Sequence, residues 1–182
     1  MTARFMTIGH SNRTIPEFLW MLREARVELV VDVRTFPRSR INPAFNIDRL
    51  PDELADHQIS YRHAPSLGGR RPRQVDADDE TNALWRVRSF HNYADYALGE
   101  DFQAAFSELL LLGRERRLAL MCAEAVWWRC HRRIITDYLL FNGEPVDHLM
   151  APGQIDPASP TPGARKASLD AVIYPSRSED KR

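Results

Sequence analysis

Glu28-Leu29-Val30-Val31-Asp32-Val33 (ELVVDV) is the stretch on which the fold turns. An unbroken Leu-Val-Val run followed by two more extended-chain residues has no alternation of apolar and polar positions. It therefore describes a strand covered on both faces, which in practice means a parallel strand inside an α/β sheet. Working outward, residues 4–9 (RFMTIG) form a similar buried run that stops at Gly9-His10-Ser11-Asn12. Between the two strands, Thr14-Ile15-Pro16-Glu17 has the pattern of a capping box, with Thr14 as N-cap and Glu17 three residues on. Phe18, Leu19, Leu22 and Ala25 supply that helix with an apolar stripe.

Beyond the central strand, residues 34–46 (RTFPRSRINPAFN) read as a long polar loop and 47–57 as a weak helix. A third strand is expected over 59–63, then an irregular stretch over 64–88. Helical periodicity returns at 89–98 and 101–116, a fourth strand is LALMC at 118–122, a helix spans 127–141 and a fifth strand spans 146–150. Strands alternating with helices predict one α/β domain over 1–150. Its doubly wound, mostly parallel sheet would have about five strands, with helices on both faces. Residues 151–182 hold five of the 12 prolines and read as a flexible tail, within which 171–174 could pair as an edge strand.

The chain has 182 residues, 43% of them hydrophobic and 27% charged, which excludes collagen, coiled coil and wholesale disorder. No apolar run approaches the roughly 20 residues of a membrane span, and the start lacks the layout of a signal peptide, so a cytoplasmic protein is expected. Twenty-five basic and 25 acidic side chains cancel, which excludes a general cationic coat for nucleic acid. Locally the balance breaks: residues 34–73 hold eight Arg against four acids, and residues 74–101 hold two Arg against seven acids. The two cysteines are too few for a disulfide framework and read as thiols.

Ligands of open α/β sheets bind outside the carboxyl ends of the strands. Behind the first expected strand stand His10 and Ser11. At the end of the second come Asp32 and Arg34, then Arg38, Ser39 and Arg40. After the third comes Arg70 behind Gly68-Gly69, and after the fourth come Cys122, Glu124, Cys130, His131 and Arg132. A carboxylate inside a Val-Val-Asp-Val strand is costly unless paired. Arg34, two residues on and on the same strand face, is its natural structural partner. Arg34, Arg38 and Arg40 could equally hold a phosphate or carboxylate.

The segment 122–133 (CAEAVWWRCHRR) runs from a strand end into a helix start, where a dipole and neighbouring Arg favour a thiolate. Helical spacing from Trp127 would turn His131 inward, as an acid or base or as a core residue, and set Arg129, Arg132 and Arg133 on another face. Three chemistries remain open. A cysteine nucleophile with an anion loop, as in rhodaneses and cysteine phosphatases, has five residues between Cys and Arg, whereas six separate Cys122 from Arg129. A metal site would use Cys122, Cys130 and His131, with the two cysteines further apart than is usual for zinc. The third makes Glu124 the base or nucleophile, with Asp32 and the arginines around the substrate.

The sequence resembles the domain of unknown function 488 family. The resemblance rests on Thr7-Ile8-Gly9-His10-Ser11, Asp32-Val33-Arg34 with Pro37-Arg38-Ser39, Leu67-Gly68-Gly69-Arg70, and Phe90 with Tyr93 and Tyr96. It is completed by Cys122-Ala123-Glu124 and Cys130-His131-Arg132. Members usually carry a proline between the Glu and the Cys-His-Arg, where this chain has Val126-Trp127-Trp128. The resemblance implies a small bacterial or archaeal cytosolic α/β protein and supplies no reaction.

The expectation is an enzyme with an anion-binding cleft at the sheet's carboxyl edge, acting on a phosphate-bearing small molecule or nucleotide. His10, Asp32, Cys122, Glu124 and His131 are its catalytic candidates. Ser11, Arg34, Arg38, Ser39, Arg40, Arg70 and Arg132 are its binding candidates. No cofactor is required by the sequence, and no membrane partner is expected. A non-catalytic nucleic-acid or partner-binding module, and a thiol or metal protein built on the cysteines, are the alternatives.

Overall fold

Phe5–Gly9 forms β1 and Leu29–Asp32 forms β2, both buried along their whole length. They are joined by α1 (Ile15–Glu24), whose first turn is capped by the Thr14 hydroxyl accepting from the Glu17 N–H. Then come α2 (Leu50–Ala55), β3 (Ser60–His63), α3 (Arg88–Ala97), α4 (Glu100–Glu115), β4 (Leu118–Cys122), α5 (Arg132–Phe141) and β5 (Val146–Ala151). The computed structural model describes residues 3–177.

The main sheet has six strands, one more than expected, because β5 turns back into an antiparallel edge strand, β6 (Gln154–Pro157). The order is β3-β2-β4-β1-β5-β6, with β3 to β5 all parallel. Both faces are covered. Met6, Ile8, Val30, Ala119 and Met121 pack against α1 and α2, while Phe5, Val31, Leu118, Leu120 and Cys122 pack against α3, α4 and α5. The fold class expected from the sequence is the one found. No helix among the described residues is long and apolar enough to cross a membrane.

The topology explains the site's position. β1 and β4 are neighbours, yet the helix after β1 packs on one face and the helix after β4 on the other. That divergence opens a crevice at their carboxyl ends. Gly9 permits the crossing there, since a Cβ on it would stand 1.8 Å from the carbonyl oxygen of Glu124.

Two local expectations are corrected. The helix expected over 127–141 starts only at Arg132, and Trp127–Arg129 is a separate 3-10 turn. Helical spacing counted from Trp127 therefore does not apply, and Arg132, assigned by it to an outer face, is buried. Residues 151–177, expected as a flexible tail, carry β6 and a small antiparallel pair, β7 (Arg165–Ser168) and β8 (Ala171–Ile173). Asp137 fastens this segment by accepting from the Thr161 N–H at 2.8 Å and from the Tyr174 hydroxyl at 2.8 Å. Residues 178–182, the end of the expected tail, lie outside the described residues.

Gly9→Ala should cost about 2 kcal/mol, within the range for overpacked sites, and lower Tm by several degrees. A Tm equal to that of the unmodified protein would contradict the close crossing of β1 by the β4–α5 loop.

Candidate functional site

Strand alternation sorts the polar residues at the rim onto two sides. Asp32, Arg34 and His10 continue the α1/α2 side, whereas Cys122 continues the side covered by α5.

On the first side, Asp32 is fully buried and its two oxygens take four donors. These are the Arg34 N–H (3.1 Å) and Nε (2.9 Å) on one oxygen, and the Arg34 terminal nitrogen (2.7 Å) and Tyr61 hydroxyl (2.5 Å) on the other. Arg34 also donates to the Phe45 carbonyl at 2.8 Å and reaches His10 Nε2 at 3.2 Å. The structural pairing left open by the sequence is thus made in full, and Asp32 has no oxygen left for a substrate. His10 stacks on Phe45 and its Nδ1 donates to the Ser11 carbonyl, so Nε2 keeps the lone pair facing Arg34. Burial, reinforced by Arg34, lowers its pKa to about 4 and keeps it neutral. Ser11 has a positive φ of 41° in this tight turn.

On the second side, the sulfurs of Cys122 and Cys130 are 2.7 Å apart and both cysteines are free. Arg132 donates to the Cys130 sulfur from its backbone N–H (3.4 Å) and from Nε (3.3 Å), and its terminal nitrogen donates to the Glu124 carbonyl (2.5 Å). Arg132 is 1% exposed. Among the described residues no carboxylate pairs with it, and the groups beside it that can balance its charge are the Cys122 and Cys130 sulfurs, of which Cys130 takes both its backbone N–H and its Nε. Burial opposes a thiolate there. The hydrogen bond from Cys122 and the charges of His131 and Arg132 outweigh it and hold Cys130 well below the usual thiol range. Burial and the same hydrogen bond push Cys122 well above that range. The sequence had made Cys122 the reactive candidate; in the structure Arg132 donates twice to Cys130.

His131 is half-buried. Its Nε2–H donates to the Val33 carbonyl at 2.8 Å, which leaves Nδ1 facing the Cys130 sulfur at 3.5 Å. Gly69 lies against this ring, since a Cβ there would sit 2.5 Å from Nδ1. The Gly-Gly turn is held in place by Tyr93 and Tyr96, whose hydroxyls donate to the carbonyls of Leu67 and Ser66, both at 2.8 Å. The aromatic motif of the sequence is thus the scaffold for the loop over the histidine.

Between the two sides opens a cleft of about 340 Å³, a volume suited to a small molecule. Cys122, Cys130 and His131 form its floor. Arg38, Arg70 and Arg129 stand at its rim with Ser39 and Glu124, and Phe36 and Phe90 form walls. Arg38 meets Asp48 at 3.3 Å with both side chains about three-fifths exposed, a contact of little strength in water. The side chains of Arg129 and Glu124 have no partner among the described residues. Ser11, Arg40, His10 and Asp32 do not line the cleft, and Arg132 lies beneath its floor, facing a sulfur and not a ligand. Sequence reasoning missed Arg129, Thr35, Ser89 and the wall Phe90 as cleft residues, whereas Phe36 was already a stacking candidate of the basic 34–73 segment. Arg129 was set aside by the helical spacing that the 3-10 turn breaks.

The ligand atoms of Cys122, Cys130 and His131 lie within 4.8 Å of one another, close enough for three donors to one metal ion. The buried Arg132 guanidinium against Cys130 works against a divalent cation in that place, since the sulfur's negative charge is already balanced.

A family model described as "Domain of unknown function DUF488" matches residues 14–139. No curated protein and no solved structure matches the chain.

Two outcomes are expected. Asp32→Asn should cost about 3 kcal/mol in chemical denaturation by leaving Arg34 buried without its counter-charge; a loss under about 1 kcal/mol would show the pair to be dispensable. His10 and His148 are both held near pH 4 by burial. Between about 6.5 and 4 the unfolded chain takes up protons that the folded chain refuses, so stability falls as pH drops through that window. His10→Asn should remove on the order of 2 kcal/mol of that loss, and an unchanged pH profile would contradict a neutral, buried His10.

Proposed function

The chain belongs to the DUF488 family, and from its site we propose that it is a cysteine-dependent enzyme acting on an anionic, phosphate-bearing small molecule. The observation that supports this is the buried Arg132 guanidinium whose counter-charge is the sulfur of Cys130, on the floor of an arginine-rimmed cleft. A buried cation that holds a thiolate keeps a nucleophile ready at neutral pH.

In this reading Arg38, Arg70 and Arg129 hold the anionic group, and the Ser39 and Ser89 hydroxyls complete its contacts. Phe36 and Phe90 give the rest of the ligand an apolar wall. The Cys130 sulfur forms a bond to the electrophilic atom of the substrate as the bond to the leaving group breaks. The leaving group takes the proton carried on His131 Nδ1, whose orientation the Val33 carbonyl fixes. Water then adds its hydroxyl to the transferred group, returns a proton to His131 and frees the thiolate. Glu124, at the rim with no partner for its carboxylate among the described residues, is the group available to orient that water.

The test is a thermal-shift series with inorganic phosphate, sugar phosphates, mononucleotides and short oligonucleotides. A ligand at about 100 times its Kd adds roughly 2.7 kcal/mol of stability. Stabilisation by the small phosphate compounds is expected, with affinity reduced about tenfold (some 1.4 kcal/mol) in Arg129→Ala and retained in Cys130→Ser. Stabilisation by oligonucleotides alone, falling steeply with salt, would replace this reading with the nucleic-acid module. No shift with any of them would remove the anion site.

A further inference from the structure

Cys122 has no part in the reaction cycle above, yet its sulfur lies 2.7 Å from that of the proposed nucleophile. It stands at the end of β4, in register with Gly9 of β1 and buried on the α5 side, so it is held by the sheet rather than by a loop. Cys130 lies two residues before Arg132, the first residue of α5. The two sulfurs therefore come from different elements and meet at the cleft floor, where both line the space open to a small molecule.

Resting on the thiolate reading of Cys130, we propose that Cys122 is a resolving thiol and that the pair is a reversible dithiol–disulfide couple open to hydroperoxides. The Cys130 sulfur attacks one oxygen of the peroxide. The O–O bond breaks, its electrons leave with hydroxide, and Cys130 becomes a sulfenic acid. The Cys122 sulfur then attacks the Cys130 sulfur, the S–O bond breaks, and the Cys122 proton leaves with the hydroxyl as water. One thiolate, one thiol and hydrogen peroxide thus become a disulfide, one water and one hydroxide. Two electrons pass from the sulfurs to the peroxide, and an external dithiol reductant reverses the change.

Charge makes the couple reversible rather than structural. In the disulfide, Arg132 remains buried and loses the anion that balances it, while the reduced state keeps that pairing. Whatever stabilises the thiolate favours the reduced form and makes the disulfide a good oxidant, readily opened by thiols. The oxidised state also removes the nucleophile, so hydroperoxide would switch the proposed activity off, and a reductant would restore it.

The experiment is hydrogen peroxide treatment of the full chain, followed by peptide mass mapping with a dimedone probe for sulfenic acid. The unmodified protein is expected to lose both thiols together and to give one Cys122–Cys130 linked peptide. It should bind no dimedone, and dithiothreitol should recover both thiols. Cys122→Ser should instead carry dimedone at Cys130 and accumulate sulfinic acid there several-fold faster. The linked peptide in the unmodified protein is read without any variant, so a folding defect in Cys122→Ser does not blunt the test. Dimedone or sulfinic acid on Cys130 of the unmodified protein, at the rate seen in Cys122→Ser and with no linked peptide, would overturn the resolving role and leave the nucleophile intact. No oxidation of Cys130 in either protein would overturn the thiolate reading and this inference with it.

Discussion

Taking a guanidinium out of water without a counter-charge is costly, and in the proposed reading the counter-charge of Arg132 is a sulfur. Arg132 is buried at the first residue of α5, bonded to Cys130 and to one backbone carbonyl. Replacing that sulfur by a neutral atom would leave a buried ion unbalanced, a cost of several kcal/mol. The thiolate and the buried arginine are thus conditions for each other. The remaining features of the cleft floor surround that sulfur: the Cys122 sulfur lies against it, His131 turns Nδ1 toward it, and Gly69 lets the loop close over the ring.

The sheet provides the frame. β1 and β4 lie side by side but send their helices to opposite faces, so their carboxyl ends are left uncovered. One flank of the opening is held by the Asp32–Arg34 pair, which shares hydrogen bonds with Tyr61, His10 and Phe45. The other flank carries Arg132 and the two sulfurs, and the long side chains of Arg38, Arg70 and Arg129 are at the mouth between them. A division between a satisfied flank and a reactive one is how an α/β fold can place a charged sulfur in a cleft without sacrificing the stability of the strand ends.

Much of the frame was legible in the sequence. Leu29-Val30-Val31 cannot be half-exposed, LALMC at 118–122 became β4 to the residue, and Thr14 capped α1 as its spacing with Glu17 required. The rim was legible too, because polar residues behind apolar strands mark carboxyl ends. What the sequence hid was the local geometry of 122–132. Periodicity carried a helix back to Trp127, and only the backbone's 3-10 turn puts Arg132 inward and Arg129 at the mouth. The exchange of roles between Cys122 and Cys130 was hidden for the same reason: spacing cannot say which of two thiols an arginine touches. The segment after residue 151 looked like a tail because its prolines and serines outweigh its apolar residues, and the buried Asp137 that holds it is far away in sequence.

In the proposed reading Cys130 is an anion because Arg132 is buried beside it. The most direct measurement is a pH titration of the ultraviolet thiolate absorbance of the folded protein. One thiolate is predicted to persist well below the ordinary thiol pKa of about 8.5, to vanish in Cys130→Ser, and to titrate upward in Arg132→Met while circular dichroism stays that of the fold. A single transition at the ordinary thiol value in the unmodified protein would contradict the account.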